Sequence, residues 1–226
     1  MAVPLTIAID GPVGAGKSSL SDIVAQRLDI LHLDTGAMYR AVGYFALLKG
    51  IDTSDEIAVV SLLAHFSLQV CYEGGRQKTL INHQDVSALI RTDDVSMAAS
   101  NVSKWSGVRA AMVALQREYA QGQSMLLDGR DIGTVVLPDA TVKIYLTASP
   151  QVRAYRRYLE LMRKGFTDSY DQVLADLLRR DEQDTTRVND PLRMASDAVQ
   201  VDTTDLSFEQ SVERIIEVVE EARWVN

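Results

Sequence analysis

Gly11, Gly16, Lys17 and Ser18 occupy the fixed positions of G-x-x-x-x-G-K-[ST] within the stretch Asp-Gly-Pro-Val-Gly-Ala-Gly-Lys-Ser-Ser that runs from Asp10 to Ser19. In such a loop, glycines let successive backbone N–H groups turn inward onto one anion, and a following helix adds the partial positive charge of its N-terminus. The loop Gly11-Pro12-Val13-Gly14-Ala15-Gly16 is therefore expected to cradle triphosphate oxygens, together with Ser19. Lys17 is expected to reach the β- and γ-phosphates, and the Ser18 hydroxyl to ligate Mg²⁺. An ordinary glycine turn ahead of a helix is the bland alternative, and the surrounding residues argue against it.

Three further groups carry chemistry. Asp128 closes an apolar run and heads Asp128-Gly129-Arg130-Asp131-Ile132-Gly133-Thr134, with two carboxylates, a guanidinium and two glycines at a strand end. Beside a phosphate loop, a strand-end carboxylate such as Asp128 can orient Mg²⁺ and its waters; alone, it could equally cap a helix. Asp34-Thr35-Gly36-Ala37-Met38-Tyr39-Arg40 is similar, with Arg40 near the start of a helix, the end that cations disfavour. Arg153, Arg156 and Arg157 share one helical face by their spacing, and Arg180, Asp184 and Arg187 share another. Each stripe reads either as a solvated face with internal ion pairs or as a bidentate grip on phosphate. His32, His65 and His83 lack metal-ligand spacing and read as structural.

Positioning these residues requires a layered α/β scaffold. Leu5, Ile7 and Ile9 alternate with Thr6 and Ala8 as a strand feeding the loop, while Leu20, Ile23, Val24 and Leu28 recur at helical spacing behind it. Further strands are expected at 30–33, 125–127, 142–146 and 198–201. Helices are expected near 37–49, 56–64 (with Thr53 and Glu56 as a capping box), 93–103, 108–120, 150–164 and 170–186, and after Ser207. Between them, Leu68, Val70 and Tyr72 alternate up to a Gly74-Gly75 turn, and Thr79-Leu80-Ile81 resumes an extended run, with a third short strand at 83–87. This hairpin marks residues 66–92 as an insertion. Five strands alternating with helices argue a parallel, doubly wound sheet with ligands at the strands' carboxyl ends, where Asp10, Asp34 and Asp128 fall.

Composition narrows the function classes. The chain has 226 residues, 46% apolar and 24% charged, with a net charge of −8, which disfavours nucleic acid or an anionic membrane as a partner. Cys71 is the single cysteine, so neither an internal disulfide nor a cysteine metal cluster can form. No run approaches the ~18 apolar residues of a membrane span, and no leader pattern precedes Asp10, so a cytoplasmic protein is expected.

The motifs G-P-V-G-A-G-K-S, L-D-T-G-A-M-Y-R and D-G-R-D-I-G-T-V-V-x-P-D-A, with the Arg180–Arg187 cluster, resemble the bacterial cytidylate kinases, a branch of the nucleoside monophosphate kinases. The D-G-R-D-I-G-T block is specific to that family, and the resemblance covers nearly the whole chain. It implies a P-loop kinase domain over 1–226, with five parallel strands flanked by helices, a monophosphate-binding insert at 66–92, and a helical lid with its following helix at 153–190. It implies Mg²⁺-dependent transfer of the γ-phosphoryl group of ATP to CMP or dCMP; no obligate protein partner is evident in the sequence, and a monomer is expected. By resemblance, Thr35, Arg109 and Asp131 read cytosine; Ser100, Arg180 and Asp184 hold the ribose; and Arg40, Arg130 and Arg187 bind the acceptor phosphate. Arg153, Arg156 and Arg157 belong to the lid over ATP; Lys17, Arg130, Arg156 and Arg157 are the expected catalytic cations. Thr35 stands where the family often has serine, and Ser18-Ser19 where Gly-Thr is frequent. The alternative is a P-loop kinase for UMP, AMP or shikimate.

Overall fold

The computed structural model describes residues 4–225; Met1–Val3 and Asn226, at the ends of the expected kinase domain, lie outside the described residues. In chain order the elements are β1 (Thr6–Asp10), α1 (Lys17–Arg27), β2 (Leu31–Asp34), α2 (Thr35–Leu48), α3 (Glu56–Leu62), β3 (Leu68–Glu73), β4 (Arg76–Ile81) and β5 (Gln84–Asp85). There follow α4 (Asp93–Val102), α5 (Ser106–Ala120), β6 (Met125–Gly129), β7 (Val142–Thr147), α6 (Pro150–Arg163), α7 (Tyr170–Thr186), β8 (Val199–Asp202) and α8 (Phe208–Val225). Five strands form one sheet in the order β2-β6-β1-β7-β8, and β3-β4-β5 form a second. The expected class is what the chain adopts: a parallel α/β sheet with flanking helices, a small antiparallel sheet and a helical lid.

The chain divides into two compact units, one contiguous from Leu31 to Gly122, the other made of the residues up to Ile30 and from Gln123 onward. In the discontinuous unit, β1 pairs in parallel with β6 (Ile9 opposite Asp128, Asp10 opposite Gly129) and with β7 (Asp10 opposite Tyr145). Parallel strands covered on both faces read as continuous apolar runs, and Ile7, Ile9, Leu126, Ile144 and Leu146 are all buried. Leu20 and Val24 of α1 join that core with Val212, Ile215 and Val219 of α8. Ser149 caps α6 by accepting from Val152 N, with Pro150 at its first turn, and Ser169 with Gln172 forms a reciprocal capping box on α7. Ser207 and Gln210 exchange the bonds expected of a cap before α8.

In the contiguous unit, β3 and β4 pair antiparallel from Leu68–Ile81 to Glu73–Arg76, and β5 adds to β4. Helices α2 and α4 approach so closely at Gly43 that an added Cβ would lie 2.8 Å from the Ala99 backbone nitrogen. The expected Thr53 cap is corrected: Asp55 caps α3, accepting from Ala58 N. Thr53 is instead buried, its hydroxyl accepting from Asn101 and its carbonyl from Trp105 Nε1. No helix among the described residues is long and apolar enough to cross a membrane.

Candidate active site

The glycine loop runs from the end of β1 into α1. Gly14 and Gly16 take φ of +74° and +87°, so the loop's turns suit residues without a Cβ. Gly11 serves a different need: an added Cβ would sit 1.9 Å from the Leu146 carbonyl oxygen on β7. Helix α1 opens at Lys17 with Gly16 as its cap and no capping side chain, which leaves its first N–H groups to a ligand.

Lys17 is buried, and its ammonium donates to Gly11 O at 2.7 Å and Pro12 O at 2.8 Å. Burial, assisted by the positive charge of Arg130, pulls its pKa down to about 7 against the opposing pull of Asp128, Asp184 and Asp10. Beside it, the Ser18 hydroxyl donates to Asp128 Oδ2 at 2.8 Å, from α1 to the end of β6. A hydroxyl and a carboxylate side by side at a phosphate loop are the hard oxygen donors that Mg²⁺ prefers. The donor set therefore fits that ion. No cluster of three or more histidine, cysteine, aspartate or glutamate side chains able to hold a metal occurs among the described residues.

After β6 the chain passes Arg130 and Asp131 into a short π-helical turn, Ile132–Val136, where sequence reasoning expects only a charged loop. Arg130 Nε donates to Asp184 Oδ2 at 2.7 Å, and Arg187 donates to Asp131 at 3.3 Å. Both Asp131 and Arg187 side chains are almost fully buried. The α7 stripe thus pairs with the loop after β6 and not internally, which removes the solvated-face reading for Asp184 and Arg187. Arg180 is half-buried on the same helix.

The α6 stripe separates. Arg153 is 4% exposed; its Nε donates to Ala148 O at 2.9 Å, one terminal nitrogen to Val13 O at 2.8 Å, and the other meets Asp181 Oδ2 at 2.7 Å. Arg156 donates to the Thr203 hydroxyl and carbonyl at 3.1 and 2.7 Å. Arg157 pairs with Glu160 one turn on, at 2.9 Å. One spacing thus leads to three destinations.

In the contiguous unit, Asp34 caps α2 by accepting from Ala37 N at 2.9 Å and pairs with Arg40 at 2.6 Å. Burial favours the neutral acid, but Arg40, His32 and the Ala37 N–H hold the Asp34 carboxyl below its ordinary range. Arg40 Nε is buried and has no hydrogen-bond acceptor in the structure. Thr35, the first residue of α2, is also buried. Arg109, also buried, donates to Ser103 O at 3.4 Å and lies 5.7 Å from the Tyr39 ring centre. Ser100 is half-buried on α4.

Sequence reasoning passes over Asp181, Thr203 and the π-helical turn. Their partners are main-chain atoms or residues distant in sequence, so no spacing announces them. Asp10 is noted only as a strand-end carboxylate, yet it is buried and accepts two backbone bonds from the π-helical turn.

A phosphate loop opening a helix at the carboxyl edge of a parallel sheet, with Arg130 on the loop after the neighbouring strand β6 and Arg187 meeting that loop from the end of α7, defines a P-loop phosphotransferase. A solved gluconokinase from Sinorhizobium meliloti shares that fold at a TM-score of 0.50, 15% identical, covering 98% of this chain and 94% of that one. The cytidylate kinase family profile matches residues 7–221. A cytidylate kinase from Geobacillus kaustophilus is 48% identical over 96% of this chain and 97% of its own length. One from Caldicellulosiruptor bescii is 45% identical over 95% of each. The chain belongs to the cytidylate kinase family, and it is a nucleotide-binding phosphotransferase.

Proposed function

We propose that the chain moves the γ-phosphoryl group of ATP to CMP or dCMP, giving ADP with CDP or dCDP. The observation that carries this reading is the pairing of Arg130 with Asp184 beside the buried Lys17, together with the buried Arg187–Asp131 pair. A slowly hydrolysing nucleotide switch has no need of that second set of arginines. Phosphoryl transfer asks mainly for alignment and charge stabilisation. Lys17 and the loop amides neutralise the donor phosphates, moving off the Gly11 and Pro12 carbonyls as phosphate arrives. Ser18, with Asp128 behind it, would hold Mg²⁺, which supplies charge neutralisation across the phosphate oxygens when bound.

The acceptor is assigned residue by residue. Arg40, Arg130 and Arg187 are given to the acceptor phosphate; the buried Arg40 Nε, which has no hydrogen-bond acceptor, supports its share. Asp131, Thr35 and Arg109 are given to cytosine, and Asp184, Arg180 and Ser100 to the ribose. Arg156 and Arg157 are assigned to charge stabilisation on the ATP side, with 153–190 as the lid segment that excludes water. Residues 66–92 are proposed as the monophosphate-binding insert. We place the protein in the cytoplasm as a monomer, which light scattering on a sizing column checks. The central test is diphosphate formation from Mg-ATP with CMP, dCMP, UMP, AMP and shikimate. Preference for UMP, AMP or shikimate over both cytidine nucleotides overturns the acceptor assignment.

A further inference from the structure

Asp10 is the last residue of β1, on the adjacent rung to Ile9–Asp128, and only 5% exposed. Its Oδ1 accepts from Ile132 N at 2.7 Å and its Oδ2 from Gly133 N at 2.8 Å. These N–H groups open the π-helical turn, whose own ladder begins with Val135 and Val136 N on the Asp131 carbonyl. Asp131, in the capping position, supplies no side-chain cap to this turn. The carboxylate that satisfies the first N–H groups comes from a neighbouring strand, more than a hundred residues earlier.

Keeping a carboxylate there is costly. Burial foremost, with the like charge of Asp131 adding to it, raises its pKa to about 6 in spite of both backbone bonds and Lys17. An apolar residue would remove that cost but orphan the Ile132 and Gly133 N–H groups, so the carboxylate answers the need of the loop and not of the sheet core. Gly133 fits the same geometry: an added Cβ would meet Asp10 Oδ2 at 3.4 Å and the Lys143 stem at 3.2 Å.

We infer that Asp10 is a positioning residue for the acceptor nucleotide: through Ile132 N and Gly133 N it fixes the loop that presents Arg130 and Asp131. It touches neither substrate in this assignment. Its consequence is selective, because the loop it anchors is the acceptor's, although Asp10 itself borders the donor loop. This inference rests on the proposed roles of Arg130 and Asp131.

The test compares Asp10→Asn with Asp131→Asn in the full chain, measuring KM for CMP and for ATP and the CMP/UMP ratio of kcat/KM. The asparagine amide keeps one acceptor and turns its NH₂ toward a backbone N–H, losing a charge-assisted bond. KM for CMP should rise on the order of tenfold and the CMP/UMP ratio should narrow, with KM for ATP within about threefold. A parallel rise of both KM values with an unchanged ratio, while Asp131→Asn does narrow it, overturns the inference and leaves the acceptor reading standing. If Asp131→Asn leaves the ratio unchanged, the base-reading role of Asp131 fails, and Asp10 is judged on the KM split alone. Should Asp10→Asn not fold, Asp10→Glu, which keeps the charge but displaces both oxygens from Ile132 N and Gly133 N, must give the same KM split; equal loss on both substrates refutes the idea.

Discussion

Arg153→Met is the sharpest test of how the phosphate loop is held. The guanidinium is 4% exposed and meets two main-chain carbonyls, of Val13 in the loop and Ala148 at the end of β7, and the Asp181 carboxylate on α7. Methionine fills much of the volume and satisfies none of the three. Removing one partner of a buried pair costs about 3–5 kcal/mol. Asp181 retains 18% side-chain exposure, so water can reach it and the lower end applies, about 3 kcal/mol. At ~2–4 °C per kcal/mol for a chain of this size, Tm should fall by roughly 6–12 °C. KM for ATP should rise because Val13 loses its anchor, whereas KM for CMP should change less. Urea and thermal unfolding followed by circular dichroism give the stability, and initial rates give the split. A cycle with Asp181→Leu completes the test: it removes the orphaned carboxylate but leaves the Val13 and Ala148 carbonyls unpaired, so it should recover part of the loss. A loss below about 1 kcal/mol, the value of an exposed pair, or strict additivity in the cycle, would refute the brace.

Lys17→Ala should lower kcat by about two to four powers of ten with little change in CMP binding, the loss expected for a preorganised electrostatic donor; steady-state rates within a few-fold of wild type would sink that role. Gly11→Ala should fail to accumulate as folded protein or lose several °C in a melt with no nucleotide present, because its Cβ would overlap the Leu146 carbonyl. Asp10 titrates near pH 6 folded against 3.8 ordinarily, so its ionisation weakens the fold: the penalty is absent below about pH 4, grows as pH rises, and is complete above 6. Wild type should therefore lose about 2 kcal/mol relative to Asp10→Asn between pH 4 and 7.5, whatever the pH-independent offset, and a flat difference curve would contradict this. Chelating Mg²⁺ with excess EDTA should abolish diphosphate formation while leaving the melting curve of nucleotide-free protein unchanged.

The architecture was legible because strands such as Leu5–Ile9 and Met125–Leu127 are short apolar runs beside caps and glycines whose local chemistry matches the fold. The phosphate loop was legible because its function lies in contiguous backbone. Thr53 misled because its capping-box spacing is genuine, but Asn101 and Trp105, about fifty residues away, claim its polar groups. The α6 arginines share a face and still diverge, since their partners are carbonyls of Val13, Ala148 and Thr203, and a carbonyl has no signature in sequence. Asp184 and Arg187 could be read as a functional stripe only by resemblance; the structure shows whom they meet. The π-helical turn at 132–136 was hidden for the reason that makes Asp10 informative: its cap is supplied from another strand.

The discontinuity of the first unit has a consequence for how the protein is made. Leu5 and Ser124 are joined across 119 positions, and the contiguous unit from Leu31 to Gly122 occupies the interval. A ribosome therefore finishes that entire unit before the strand that pairs with β1 exists, and β8 and its cover α8 come later still. Through this interval the apolar run Leu5–Ile9 has no sheet to join, and closing so long a separation is slow relative to local helix formation. The phosphate loop consequently acquires its walls late, when β6 and β7 dock on either side of β1. Nucleotide affinity becomes a marker of completed synthesis: nascent chains stalled before residue 125 should carry the full motif and bind nothing with it, while exposing the segment a chaperone would recognise.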